Sequence, residues 1–167
     1  MKKKAVSMLL IGAMAATMFS VSAFAEGDVD MSVLEGKTIG FAQCDNGNSW
    51  RIAETDSMEK TAKEYGINFV YTDASADIAK QASNIEDLVA QGVDYLVVAP
   101  QEEDGLQAPL KSAMDAGIPV ILVDRGINGT AGVEYTTAIM SDFVWEAEQV
   151  ANKFIEDGGG KGNVVIL

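Results

Sequence analysis

Histidine is absent from the sequence, and cysteine occurs once, as Cys44. The first absence excludes a Ser-His-Asp or Cys-His triad, a histidine-ligated zinc and an HExxH helix. The second excludes an internal disulfide and any multi-cysteine metal or iron–sulfur site. Basic residues are scarce too: 12 Lys and Arg stand against 25 Asp and Glu, a net charge of −13. Nucleic-acid phosphates need a basic surface, so a nucleic-acid partner is excluded. Phosphate loops are also missing. No GxxxxGK[ST] occurs, and Asp45-Asn46-Gly47-Asn48-Ser49 lacks the GxGxxG spacing. The run from Gly158 to Gly162 follows a helical pattern and precedes an apolar one, the reverse of a phosphate cradle. These gaps favour a binding protein over an enzyme, with no metal and no cofactor.

What is present begins with an export signal over residues 1–25. Lys2, Lys3 and Lys4 supply the charged start, an almost wholly apolar stretch follows, and Ala23-Phe24-Ala25 has the small-x-small form of a cleavage site. A retained membrane anchor is the alternative, since the apolar stretch nearly reaches spanning length. No cysteine sits at the junction to carry a lipid. The expected location is the periplasm or the cell exterior. Cleavage leaves 9 of the 12 basic and all 25 acidic residues, a net charge of −16. Such a chain is soluble and repelled by anionic lipid surfaces. In that oxidising compartment, Cys44 reads as a small buried residue at a strand end rather than a reactive thiol.

After a polar linker over 26–36, two periods alternate. Apolar strand runs are expected at 38–43, 67–71, 95–99, 119–123 and 133–139, with a last one at 163–167. Between them lie amphipathic helices. One, over 50–65, is capped by Asn48 or Ser49 and turns Ile52, Thr55, Met58 or Glu59, Ala62 and Tyr65 inward. A second, over 77–91, places Ile78, Ala82, Ile85, Leu88 and Val89 on one face. A third carries Pro109 in its first turn, where the missing N–H costs nothing. A fourth spans 142–157, with Ser141 and Asp142 as caps. Continuous apolar strands between such helices predict an α/β fold with a doubly wound parallel sheet. The sequence stops inside its last apolar run, which suggests a truncated chain.

In such a sheet, ligands bind beyond the carboxyl ends of the strands. Those ends carry residues 45–51, 73–77, 101–104 and the pair Asp124-Arg125. An indole, two guanidiniums and an acid suit a polyhydroxylated ligand: charged groups share hydroxyls, and the ring covers a sugar's C–H face. Plainer readings stand beside each of these. Trp50 can plug a lobe edge, Arg51 can be a solvated charge, and Asp124 can cap a turn. Glu102, Glu103 and Asp104 read as solvated acids near a helix start.

Several segments resemble a known family, the type I periplasmic sugar-binding proteins of ABC importers, in their ribose- and galactofuranose-binding branch. They are Ile39-Gly40-Phe41-Ala42-Gln43, Asn48-Ser49-Trp50-Arg51-Ile52-Ala53-Glu54, Val89-Ala90-Gln91-Gly92-Val93-Asp94, Ala99-Pro100, and Gly117-Ile118-Pro119 through Asp124-Arg125. The resemblance implies a two-lobed, hinged protein that closes on a monosaccharide and docks on a membrane permease, as a monomer. It implies sugar contacts at Asn48, Trp50, Arg51, Asp124, Arg125 and Ser141. Trp-Arg after the first strand is similar to the galactofuranose type; Phe143 departs from the family, which often has Asn there. By the same mapping, 37–138 is the N-terminal lobe, 139–142 the crossing, and 143–167 a second lobe only begun. An extracellular sensing module on the same fold, or a Rossmann-like enzyme using Asp45, Asp73 or Asp124 as acid or base, are the alternatives. Asp124→Ala is expected to weaken sugar binding and leave folding intact.

Overall fold

The computed structural model describes residues 30–163 and 165. The signal expected over 1–25 and the first residues of the linker expected over 26–36, 26–29, therefore lie outside the described residues, as does part of the last apolar run. Of that run, Asn163 and Val165 are described, and neither is in a strand.

After a short 3-10 turn at Met31–Leu34, the chain alternates strand and helix: β1 Thr38–Gln43, α1 Ser49–Glu64, β2 Asn68–Asp73, α2 Ile78–Ala90, β3 Tyr95–Val98, α3 Gln107–Asp115, β4 Val120–Val123, β5 Thr137–Ile139 and α4 Phe143–Asp157. All five strands are parallel, in the order β2-β1-β3-β4-β5. The order reverses between β1 and β3. A crevice opens at their carboxyl ends, because the loops leaving them run to opposite faces of the sheet.

The main core lies between the sheet and α2 with α3. Ile85 and Leu88 of α2 and Leu110 and Ala113 of α3 pack on Ala42, Leu96, Val98, Val120 and Leu122. Ile78, Ala82, Val89 and Met114 close its edges, as their helical spacing predicts. Gly40 lets α2 approach β1 closely. A Cβ there would sit 3.1 Å from a methyl of Leu88 and 3.2 Å from one of Val93.

Three expectations need correction. The inward side of α1 is Arg51, Thr55 and Ala62, while Ile52 and Tyr65 are exposed. A buried cation with partners outweighs the apolar pattern there. β2 starts at Asn68, because the Ile67 amide is still engaged with Ala62 O of α1, 2.8 Å away, across Gly66 at φ 68. The fifth strand holds only 137–139 of the expected 133–139. Residues 130–134 close into a turn in which the Thr130 amide donates to Glu134 Oε2 at 2.7 Å and Gly132 takes φ 85.

At the amino end of the sheet, Asp94 accepts from the Thr38 amide at 2.8 Å and from Lys37 Nζ at 3.0 Å. The Thr38 N–H first, then Lys37, holds this carboxyl below its ordinary value of 3.8. The stability it contributes is complete above that ordinary value and is lost as pH falls through the lower native one. Asp94→Asn should therefore lower the melting temperature at pH 7, with the gap to the unsubstituted protein closing in strong acid. Parallel melting curves across that range would contradict it.

Candidate ligand-binding site

The loop from β1 to α1 builds one wall. Asn48 caps the helix, its Oδ1 accepting from the Arg51 amide at 3.0 Å. That cap starts the helix so that Trp50 and Arg51 fall in its first turn and point apart. Trp50 is 66% exposed, whereas Arg51 is 3% exposed and turned beneath the loop.

The guanidinium of Arg51 lies between two carboxylates. Nη1 donates to Glu54 Oε2 at 2.9 Å and Nη2 to Asp124 Oδ2 at 2.5 Å. Burial works against its charge, but the Glu54 hydrogen bond and the neighbouring negative groups outweigh that, so its pKa stands above the usual arginine value. Arg51 is a permanent cation. Burial likewise pushes the Cys44 thiol up, against the pull of Arg51 and Arg125, which keeps it protonated. Cys44 is 2% exposed, in line with its expected packing role.

Asp124 follows β4 directly and adopts φ 66, a left-handed conformation that aspartate tolerates better than most residues. The turn aims its carboxylate at Arg51 and sets Arg125 Nε 3.7 Å from it. Arg125 Nη1 donates to Gln101 O at 3.2 Å, so the loop after β3 braces the second guanidinium. A third segment, the exit from β5, brings Ser141. Asp142 next to it caps α4, accepting from the Trp145 amide at 2.9 Å.

All six candidate residues, Asn48, Trp50, Arg51, Asp124, Arg125 and Ser141, line one open hollow of about 610 Å³, a volume usual for small-molecule sites. Two residues of α4, Phe143 and Glu146, line it as well and were not anticipated as contacts. Their three-residue spacing, one helix face, is the signal that could have found them. Glu54 was also missed, although it stands three residues after Arg51 on α1.

The other acids at the strand ends are engaged locally. Asp45 accepts from the Gly47 amide and Asp73 from the Ser75 amide, each at 2.7 Å, while Asp77 caps α2. Asp104 accepts from Asn128 Nδ2 at 3.0 Å. Among the described residues, no group of three or more His, Cys, Asp or Glu is arranged to hold a metal. The charges that line the hollow, Arg51 and Arg125 against Asp124 and Glu146, cancel. Such a site offers donors and acceptors in pairs without net attraction for an ion, which is chemistry for a neutral polyol.

Residues 39–167 match the family described as periplasmic binding protein domain. Among curated relatives, the galactofuranose-binding protein YtfQ of Escherichia coli is 33% identical over 148 residues, covering 88% of this chain and 46% of that one. The ribose import binding protein RbsB of Bacillus subtilis is 36% identical over 125 residues, 75% of this chain and 40% of that one. A solved fructose-binding periplasmic domain of a hybrid two-component system is similar in structure. Its TM-score is 0.68 at 34% identity, over 76% of this chain and 41% of that one. The chain thus spans about half the length of the relatives it matches. With its parallel five-stranded sheet and a neutral polar hollow at the strand tips, the chain belongs to the periplasmic binding protein family, alongside sugar-binding members.

Proposed function

We propose that this chain supplies the N-terminal lobe, residues 37–138, the first crossing, 139–142, and the start of a second lobe, 143–167, of an exported monosaccharide receptor. Residues 1–25 direct export and are removed, and the mature protein works as a monomer in the periplasm or outside the cell. It performs no catalysis. It captures one sugar and presents it to the membrane permease of an ABC importer. The observation that carries this reading is the convergence of six residues from three separate segments on one hollow whose lining charges cancel. Trp50 covers the C–H face of the sugar, and Arg51, Asp124, Arg125, Asn48 and Ser141 share its hydroxyls. The neighbouring Trp-Arg pair favours a furanose of the galactofuranose type over ribose. Ligand contact with both lobes favours the closed state, which is how capture becomes a signal for docking.

Delivery to a receptor kinase instead of a permease is the second reading. It is supported by the similarity to a sugar-binding domain of a two-component system.

A thermal-shift screen of the full-length protein against D-galactose, D-ribose and D-fructose tests the proposal, since a ligand that binds only the folded state raises the melting temperature. A rise with at least one sugar is expected, and none with phosphate or amino acids. Asp124 provides the first check on the site. Asp124→Asn, which keeps an acceptor and tolerates the left-handed backbone, should weaken the selected sugar roughly tenfold by loss of a charge-assisted bond. Asp124→Ala should lose as much affinity and also stability. It strips one of the two carboxylates from buried Arg51 and places alanine at φ 66, so the expectation that folding stays intact does not carry over. Unchanged affinity of both variants by calorimetry would remove Asp124 from the site.

A further inference from the structure

The last residue of β1 is out of place by composition. Gln43 is fully buried, next to Phe41, Ala42 and Cys44, in a position where an apolar side chain would leave no amide to satisfy. Every polar atom of its side chain is engaged. Oε1 accepts from the Cys44 amide at 3.1 Å, and because that group only donates, the orientation of the amide is settled by chemistry. Nε2 is thereby turned towards α1, where it donates to Glu54 Oε2 at 3.0 Å and to Thr55 Oγ1 at 3.3 Å. The same Glu54 oxygen accepts from Arg51 Nη1, and Arg51 Nη2 reaches Asp124. An unbroken line of hydrogen bonds thus runs from a buried strand end to the wall of the hollow. Without the amide donor, Glu54, whose side chain is 14% exposed, is free to turn towards water, and the guanidinium loses one of its two anchors.

We propose that Gln43 is a positioning residue for ligand binding: through Glu54 it holds the Arg51 guanidinium, and with it Asp124, in the arrangement that accepts the sugar. This deepens the proposed function and rests on it.

The test uses the full-length protein and calorimetry with whichever of D-galactose, D-ribose and D-fructose gives the largest thermal shift. Gln43→Met keeps the volume and removes the donor; it should fold and bind at least about tenfold more weakly. Gln43→Glu sets an acid against Glu54, with Arg51 on α1, the Cys44 thiol, Tyr71 and Asp73 of β2, and Asp124 and Arg125 after β4 as the other titratable groups around it. Two facing carboxyls share one proton more readily as pH falls. This variant should therefore bind poorly at pH 8 and recover towards the unsubstituted protein near pH 5, a profile that mere loss of packing would not produce. Full affinity in Gln43→Met, or an equal loss at both pH values in Gln43→Glu, overturns the positioning role while leaving the sugar site standing. Absence of any sugar binding by the unsubstituted protein overturns the proposed function and this role with it.

Discussion

Arg51→Ala is expected to weaken sugar binding by about ten- to a hundredfold and to destabilise the full-length protein by about 2–3 kcal/mol. The binding loss follows from removing a charge-assisted donor and from releasing Asp124, which Arg51 holds at 2.5 Å. The stability loss follows from what remains. Glu54 and Asp124 lose the cation between them, and Gln43 keeps a partner with no counter-charge. Removing one member of a fully buried ion pair costs about 3–5 kcal/mol. The smaller figure applies because the two acids are 14% and 19% exposed and can recover some hydration. Arg51→Lys should restore part of the stability and little of the affinity, since one ammonium cannot bridge two carboxylates in the fixed fork of a guanidinium. Urea unfolding and calorimetric titration measure the two losses separately. A stable Arg51→Ala protein with unchanged affinity would mean that the ion pairs are incidental.

The second large effect concerns the scaffold below the site. Gln81 of α2 is fully buried and donates from Nε2 to Ala42 O at 3.1 Å and Ala99 O at 2.8 Å, while its Oε1 accepts from the Gln101 amide at 2.9 Å. Ala42 lies at the end of β1 and Ala99 just past β3, so one side chain bridges the two strands where the sheet order reverses. Gln81→Leu takes the side-chain partner from Ala99 O and from the Gln101 amide, while Ala42 O keeps the Ala99 amide at 3.2 Å. At about 1–3 kcal/mol for each of these two groups, with some relaxation, a loss of about 2–3 kcal/mol is expected. Because Gln101 O also braces Arg125, sugar affinity should fall in the same variant. A loss below about 1 kcal/mol would show that water replaces the amide at no great cost.

The outcome for α1 shows where sequence reasoning succeeds and where it stops. In α2, the 78-82-85-88-89 spacing identifies the packed face because every inward residue but Gln81 is apolar. In α1 the same reasoning selects Ile52, while the buried residue is Arg51. Its burial depends on Asp124, 73 positions away, and no local pattern records that contact. The grouping of the six candidate residues around one hollow was nonetheless reachable. The rule that ligands gather beyond the carboxyl ends of parallel strands places Trp50, Arg51, Asp124 and Arg125 together, and the resemblance adds Asn48 and Ser141. The supporting layer was not. Gln43 and Gln81 look like interruptions in apolar segments until the fold shows which backbone and side-chain atoms they satisfy. The fifth strand was overextended because its alternation continues through Val133 and Tyr135. A side-chain bond from Glu134 to the Thr130 amide, invisible to periodicity, closes that stretch into a turn.

The most direct measurement is a crystal structure of the full-length protein with the sugar selected by thermal shift. One ring should occupy the hollow, its C–H face against Trp50, with hydroxyl oxygens at about 2.7–3.2 Å from Asp124 and Arg125. A sugar bound elsewhere on the protein, with this hollow empty of it, would show that the strand tips are not the binding site.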